Sequence, residues 1–359
     1  MKVSLVTRTA GLAAVVALGL AACGSSSSGG SGGSSGSSDS STSLTPQGST
    51  FQQTLEQQWA SQYHQAHSNA EITYSGTGSS AGIQQFTAGK IPFAGSDVTM
   101  APDEQSAANT ACGSTALTLP ITSGGVAIIY NLAGVPHLNL DTATLAGIFM
   151  GTITKWNDSV IKADNPGVAL PATSIATFHR SDGSGTTNVL SGFLDATAKS
   201  VWTLGVNKEF TWPSGQGAVG SSGVVQGVKN TNGGITYAEV TYAKQSQLPT
   251  AAIKGADGDY VSISSAAVAK SIKSGFEITG TAPDLAGSLS FTKMTGYPIS
   301  TVSYVLVCSK YSNAAEGRLI KDFLTYAAGD GQAEADALGF APLPSTLDQQ
   351  VLSSIATIS

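Results

Sequence analysis

The stretch SIATFHRSDGSGTTNVLSGFLDAT, residues 174–197, changes its period half-way along. SIATFHR reads as a strand. TTNVLSGFLDAT reads as a helix, because Val189, Leu190, Phe193 and Leu194 fall on one side of a 3.6-residue repeat. Between them, Arg180 and Asp182 stand beside glycine-flanked hydroxyls, although only 11% of the chain is Asp, Glu, Lys or Arg. Strand, glycine turn and helix in succession predict an α/β fold whose binding loops gather at the C-terminal ends of the strands.

The same unit occurs twice earlier. QGSTF, residues 47–51, leads into a helix on which Phe51, Leu55, Trp59 and Tyr63 recur every four residues. SGTGSSAG, residues 75–82, closes the strand EITYSG and opens a second helix, and IPFAGSD is a strand ending at Asp97. Residues 117–131 and GGITYAEV, residues 233–240, read as further strands. A helix N-terminus presents unsatisfied N–H groups and the positive end of the helix dipole, both of which favour an anion. One hydroxyl-rich turn would be an ordinary N-cap. Three of them predict an oxyanion site.

Composition limits the remaining readings. Lys2, Arg8 and the apolar run GLAAVVALGLAA have the form of a secretory signal over residues 1–22. LAAC, residues 20–23, has the form of a lipobox, which predicts cleavage before Cys23 and its acylation; an ordinary signal with an incidental cysteine is the alternative. Residues 23–44 are almost wholly Gly and Ser and predict a flexible tether spanning about 25 Å. The remaining length, about 315 residues, exceeds one ordinary core and predicts two lobes. We place lobe I at residues 45–122 and 292–359 and lobe II at residues 123–291. Without residues 1–22 the chain carries 15 basic and 23 acidic side chains, a net charge of −8, with no basic run interleaved with aromatics, which argues against nucleic acid. Cys112 and Cys308 are expected to pair in an exported chain, two free buried thiols being the alternative. The histidines and cysteines lack metal-ligand spacing, and no metal or other cofactor is expected.

STF (49–51), GTGSSAGIQQF (76–86), FAGSD (93–97), GTITKWND (151–158), HRSDGSGTT (179–187) and GGITYAEVTYAKQ (233–245) occur in an order and spacing that resemble the phosphate-binding proteins of phosphate-specific ABC importers. The resemblance runs from about residue 45 to the C-terminus. It implies a two-lobed periplasmic-binding-protein fold of type II-like form, each lobe a mixed sheet flanked by helices, with the ligand in the interlobe cleft. It also implies a non-enzymatic receptor whose partners are inorganic phosphate and a membrane permease; with the lipobox this predicts an extracytoplasmic, lipid-anchored protein, and a monomer is the default for a receptor that must present both lobes. Carried across residue by residue, it implies that Thr50 and Phe51 contribute backbone N–H groups, Thr50 also its hydroxyl. Ser79 would donate from the second helix, and Asp97 would face the ligand. Arg180 would supply the positive charge, Ser184, Gly185 and Thr186 would donate from the loop, and Asp182 would hold the arginine. Ala81 departs from the family's usual glycine, away from these positions.

An ionised Asp97 can only accept hydrogen bonds, so it favours an oxyanion that keeps a proton, as phosphate does and sulfate does not. A sulfate or molybdate receptor is the nearest rival. GSSAG also fits the G-x-S-x-G of a serine hydrolase or phosphatase with Ser80 at its centre, which would need His64, His67, His137 or His179 within reach. GQGAVG, residues 215–220, fits a dinucleotide fingerprint with Glu239 downstream, but it follows TWPS rather than an apolar strand.

Overall fold

A computed structural model describes residues 42–359; Cys23, the signal segment and most of the Gly/Ser stretch lie outside the described residues. The first half of the chain alternates short strands with helices: β1 (Thr42–Leu44), β2 (Gln47–Gly48), α1 (Gln53–Ala66), β3 (Ala70–Ile72), β4 (Ser75–Gly76), α2 (Ser79–Thr87), β5 (Ala94–Ser96) and α3 (Pro102–Cys112). A long strand, β6 (Ala116–Asn131), then leads to β7 (Asn139–Leu140), α4 (Thr142–Phe149), α5 (Ser159–Asp164), β8 (Ala176–Arg180) and α6 (Gly185–Thr197). There follow β9 (Gln216–Ala218), α7 (Gly220–Lys229), β10 (Gly234–Glu239), α8 (Val240–Ser246), β11 (Ala252–Lys254), β12 (Tyr260–Val261), α9 (Ser265–Gly275), β13 (Phe276–Ile278) and β14 (Gly287–Leu289). The chain finishes on β15 (Ser300–Cys308), α10 (Ala314–Ala328), α11 (Gln332–Leu338) and α12 (Ser345–Ile355).

Local chemistry explains the element ends. Leu55, Trp59 and Tyr63 form the buried stripe of α1, and Phe51 is buried just ahead of it. Asp141, Asp158, Ser184, Ser264 and Asn313 cap the helices that follow them with their side chains. EITYSG divides into β3 and β4, which pair with β1 and β2 respectively. Thr42–Leu44, placed in the tether by composition, is a strand with a buried Leu44, so the folded body starts before residue 45.

The main sheet has the order β4-β2-β5-β15-β6-β10-β8-β9 and is mixed, with helices on its faces. Its two central strands, β6 and β15, are buried along nearly their whole length, as expected of apolar runs covered on both sides. Residues 116–125 of β6 pair antiparallel with β15, and residues 126–131 pair antiparallel with β10. The first set of strands and the second are therefore joined through one strand that changes partner at Gly125/Val126. The β6–β15 register shifts between Ser303 and Tyr304, next to Pro120, so the residue that cannot donate to the ladder sits at the irregularity. The parallel strands β2 and β4 end at glycine turns that open α1 and α2, and β8 and β9 end where α6 and α7 begin.

Cys112 at the end of α3 and Cys308 at the end of β15 are joined by a disulfide with a Cα–Cα distance of 5.5 Å and a sequence separation of 196 residues. In the chain-entropy account, a loop of that length stabilises the fold by about 4–5 kcal/mol. Urea unfolding of Cys112→Ala/Cys308→Ala should show a stability lower by about that amount; a loss below about 1 kcal/mol would contradict this account.

Candidate functional site

The glycine turns converge on one buried cluster. From the first half, Asp97 follows β5 and is only 3% exposed. Ser49 Oγ lies 2.7 Å from each of its carboxyl oxygens, Ser303 Oγ donates to Oδ1 at 2.6 Å, and Ser79 Oγ is 3.5 Å from Oδ2. Burial pushes the Asp97 carboxyl above its ordinary range, while Ser303, Ser49, the Arg180 charge and Ser79 act in the opposite direction.

From the second half, Arg180 ends β8 and is also 3% exposed. Its Nε and Nη2 donate to the two oxygens of Asp182 in a bidentate pair. Asp182 Oδ1 also accepts the N–H of Gly220 at the start of α7. Burial raises the Asp182 carboxyl, but the Arg180 bond and charge, together with Gly220 N–H, outweigh it and leave it below the usual carboxylate range. At the start of α6, Ser184 Oγ accepts the N–H of Thr187, and Gly185 and Thr186 are the first helical residues, whose N–H groups have no intrahelical acceptor. Thr186 Oγ1 is buried without a hydrogen-bond partner.

The two sets touch. Arg180 Nη1 donates to Thr50 Oγ1 at 2.9 Å, and Tyr242 Oη donates to the Thr50 carbonyl at 2.7 Å. Ser80 N–H donates to Gly183 O at 3.1 Å. At the rim, Lys208 and Glu104 form an ion pair at 2.9 Å. Space here requires glycine. A Cβ on Gly185 would stand 2.5 Å from Ser79 Oγ and 2.7 Å from Asp97 Oδ2. One on Gly78, whose φ is +94°, would stand 2.7 Å from Gly183 O.

Thr50, Ser79, Asp97, Arg180, Asp182, Ser184, Gly185 and Thr186 thus lie together. Phe51 is buried beside them, but its N–H donates to Ser49 Oγ at 3.0 Å. Sequence reasoning passed over Ser49, Ser221 and Ser303. Ser221 Oγ is fully buried, 2.8 Å from Thr50 Oγ1 and 3.4 Å from Arg180 Nη1. Its signal was the glycine-rich GQGAVG, which does run from β9 into α7 and turns its first N–H toward Asp182.

A model of the PBP superfamily domain matches residues 33–330. Phosphate-binding protein PstS 3 of Mycobacterium leprae is 38% identical over 322 residues, covering 88% of this chain and 87% of its own. PstS2 of Mycobacterium bovis is 38% identical over 360 residues, with 97% of each chain covered. The chain belongs to the PstS family of phosphate-binding proteins. Among solved structures, a phosphate-binding protein from Stenotrophomonas maltophilia matches with a TM-score of 0.71 at 21% identity. The periplasmic phosphate-binding protein PfluDING, bound with phosphate, matches at 0.70 and 24%. Both matches cover 87% of this chain and 93% of the other, and they bear on the two-lobed α/β fold.

Three of the four histidines of this PstS-family chain have partners of their own. His64 and His67 hydrogen-bond to the carbonyls of Ala70 and Tyr63, and His179 lies against Arg180 O and stacks on Trp212. No cluster of metal-binding side chains occurs among the described residues. Nor is any described helix long and apolar enough to cross a membrane.

Tyr74 Oη donates to the Ser49 carbonyl, and the fully buried Glu56, whose charge acts on Tyr74, has neither carboxyl oxygen hydrogen-bonded; burial pushes its pKa up to about 8 from the ordinary 4.5. Between those values the unfolded chain has lost a proton that the folded chain keeps, so stability falls as pH rises. Glu56→Gln removes this dependence. Its stability relative to the wild type should climb from pH 5 to pH 8, by up to about 1.4 kcal/mol per pH unit in urea unfolding; parallel pH profiles would refute a protonated Glu56.

Proposed function

We propose that this PstS-family protein is an extracytoplasmic receptor that captures inorganic phosphate between its lobes and delivers it to the permease of an ABC importer, without catalysing a reaction. Residues 45–122 with 292–359 would form lobe I and residues 123–291 lobe II. The partner change on β6 at Gly125/Val126 and the return of the chain along β15 support that division. Cys23 would carry the lipid, and a monomer would present both lobe rims to the permease.

The observation that carries the reading is a buried carboxylate, Asp97, set against the N-terminus of α6 near a buried arginine whose fork is fixed by Asp182. Thr50, Phe51, Ser79, Arg180, Ser184, Gly185 and Thr186 would donate to the anion, the Phe51 N–H being shared with Ser49 Oγ. The unpartnered Thr186 hydroxyl and the open N–H groups of Gly185 and Thr186 support this assignment, since a buried polar atom left without a partner is costly. Asp97 would accept the proton that phosphate keeps. Sulfate would bring acceptor against acceptor, which is why the sulfate and molybdate readings are less favoured.

Calorimetric titration of protein stripped of endogenous ligand should give one-to-one binding of phosphate and none of sulfate. Asp97→Asn should reduce phosphate-over-sulfate discrimination by at least about 100-fold; unchanged discrimination would remove Asp97 from its proposed role.

A further inference from the structure

Two hydrogen-bond chains end on Asp97, and each has its direction set by a nitrogen donor. Gln52 Nε2 donates to Ser303 Oγ at 2.9 Å, and Ser303 Oγ lies 2.6 Å from Asp97 Oδ1. Phe51 N–H donates to Ser49 Oγ at 3.0 Å, and Ser49 Oγ lies 2.7 Å from both carboxyl oxygens. A hydroxyl that accepts from an N–H turns its own proton outward, here toward the carboxylate. Gln52, Ser49 and Ser303 are all at most 1% exposed, so water does not compete for these bonds. Chains of this kind strengthen one another in a low-dielectric surrounding.

Resting on the phosphate-receptor reading, we propose that Ser303 and Ser49 are positioning residues for anion choice: their relays from Gln52 and from the Phe51 amide keep Asp97 an acceptor, and so set which oxyanions the cleft admits. Without a relay, Asp97 takes up a proton more readily, becomes a donor, and can satisfy a sulfate oxygen while losing its bond to the phosphate proton. The charged and titratable groups around it are Arg180 on the second lobe, which favours its anion, and the Tyr74 and Tyr242 hydroxyls, with Glu56 behind Tyr74. None of these depends on Ser303, so removing that hydroxyl changes the relay and leaves the arginine in place.

The test is titration of phosphate and of sulfate into wild type and Ser303→Ala at pH 8, 7, 6 and 5.5, with circular dichroism to check the fold. Phosphate's own titration is common to both proteins and cancels in their ratio. The wild type should reject sulfate throughout. Ser303→Ala should bind phosphate nearly normally at pH 8, lose at least about tenfold relative to wild type by pH 5.5, and gain sulfate binding over the same range, its onset about one pH unit above any seen in the wild type. A merely structural role would lower affinity equally at every pH. Parallel profiles with sulfate still rejected would therefore overturn the relay while leaving the receptor reading intact. A wild type that binds no phosphate would overturn both. Should Ser303→Ala fail to fold, the same titrations on Ser49→Ala decide, with the same outcomes.

Discussion

Arg180 is nearly inaccessible to water, and much of the architecture around the end of β8 follows from keeping that charge there. An unpaired buried guanidinium would cost several kcal/mol, and the Coulombic gain of a partner offsets this only with good geometry. Asp182 supplies that geometry from two residues away. To do so, the chain must turn sharply after β8, and the same turn brings the N-termini of α6 and α7 to one point, with Gly220 N–H satisfying the remaining demand of Asp182. The pair is thus a local folding constraint as well as a charge: it fixes where two helices start.

The rest of the site consists of small dipoles. Serine and threonine hydroxyls and the open amides of helix starts surround one cation and one carboxylate, in a chain whose net charge is negative. Net charge matters little at this range, because exposed charges are screened over about 10 Å, whereas buried donors act within hydrogen-bond distance. Pre-oriented dipoles also need no counter-charge of their own. That lets them surround an anion from several directions without the repulsion that a cluster of lysines and arginines would suffer.

How much was legible in the sequence depends on how local each signal is. The turns at residues 47–51, 75–82 and 180–187 combine periodicity with glycine and hydroxyls over a few residues, and they lead into α1, α2 and α6 as read. Ser49 lies inside STF, but a serine before a helix reads first as a cap. Ser221 follows glycines whose spacing also fits a nucleotide loop, so its own signal is ambiguous. Ser303 carries no local signal at all: it is one serine in the apolar run TVSYVLVC, and it meets Asp97 only because β15 pairs with β5 across 206 residues. The pairing of Thr42–Leu44 with β3 was missed for the same reason, since composition cannot report a partner 28 residues away.

In the proposed receptor, recognition and closure would share their residues. Thr50 offers its hydroxyl to Arg180 and its carbonyl to Tyr242, both from the later half of the chain, while Gly185 fits against Asp97 and Ser79 from the earlier half. A group placed as proposed to read an anion would therefore also read whether the opposite lobe has arrived. Differential affinity for one conformation is what allows a ligand to shift an equilibrium. On the proposed assignment of donors the differential is built in, because those on one lobe alone would provide only half the cage. The selectivity proposed for Asp97 would inherit the same condition: the carboxylate would oppose a wrong anion strongly only with Gly185 and its helix packed against it to exclude water from the other side.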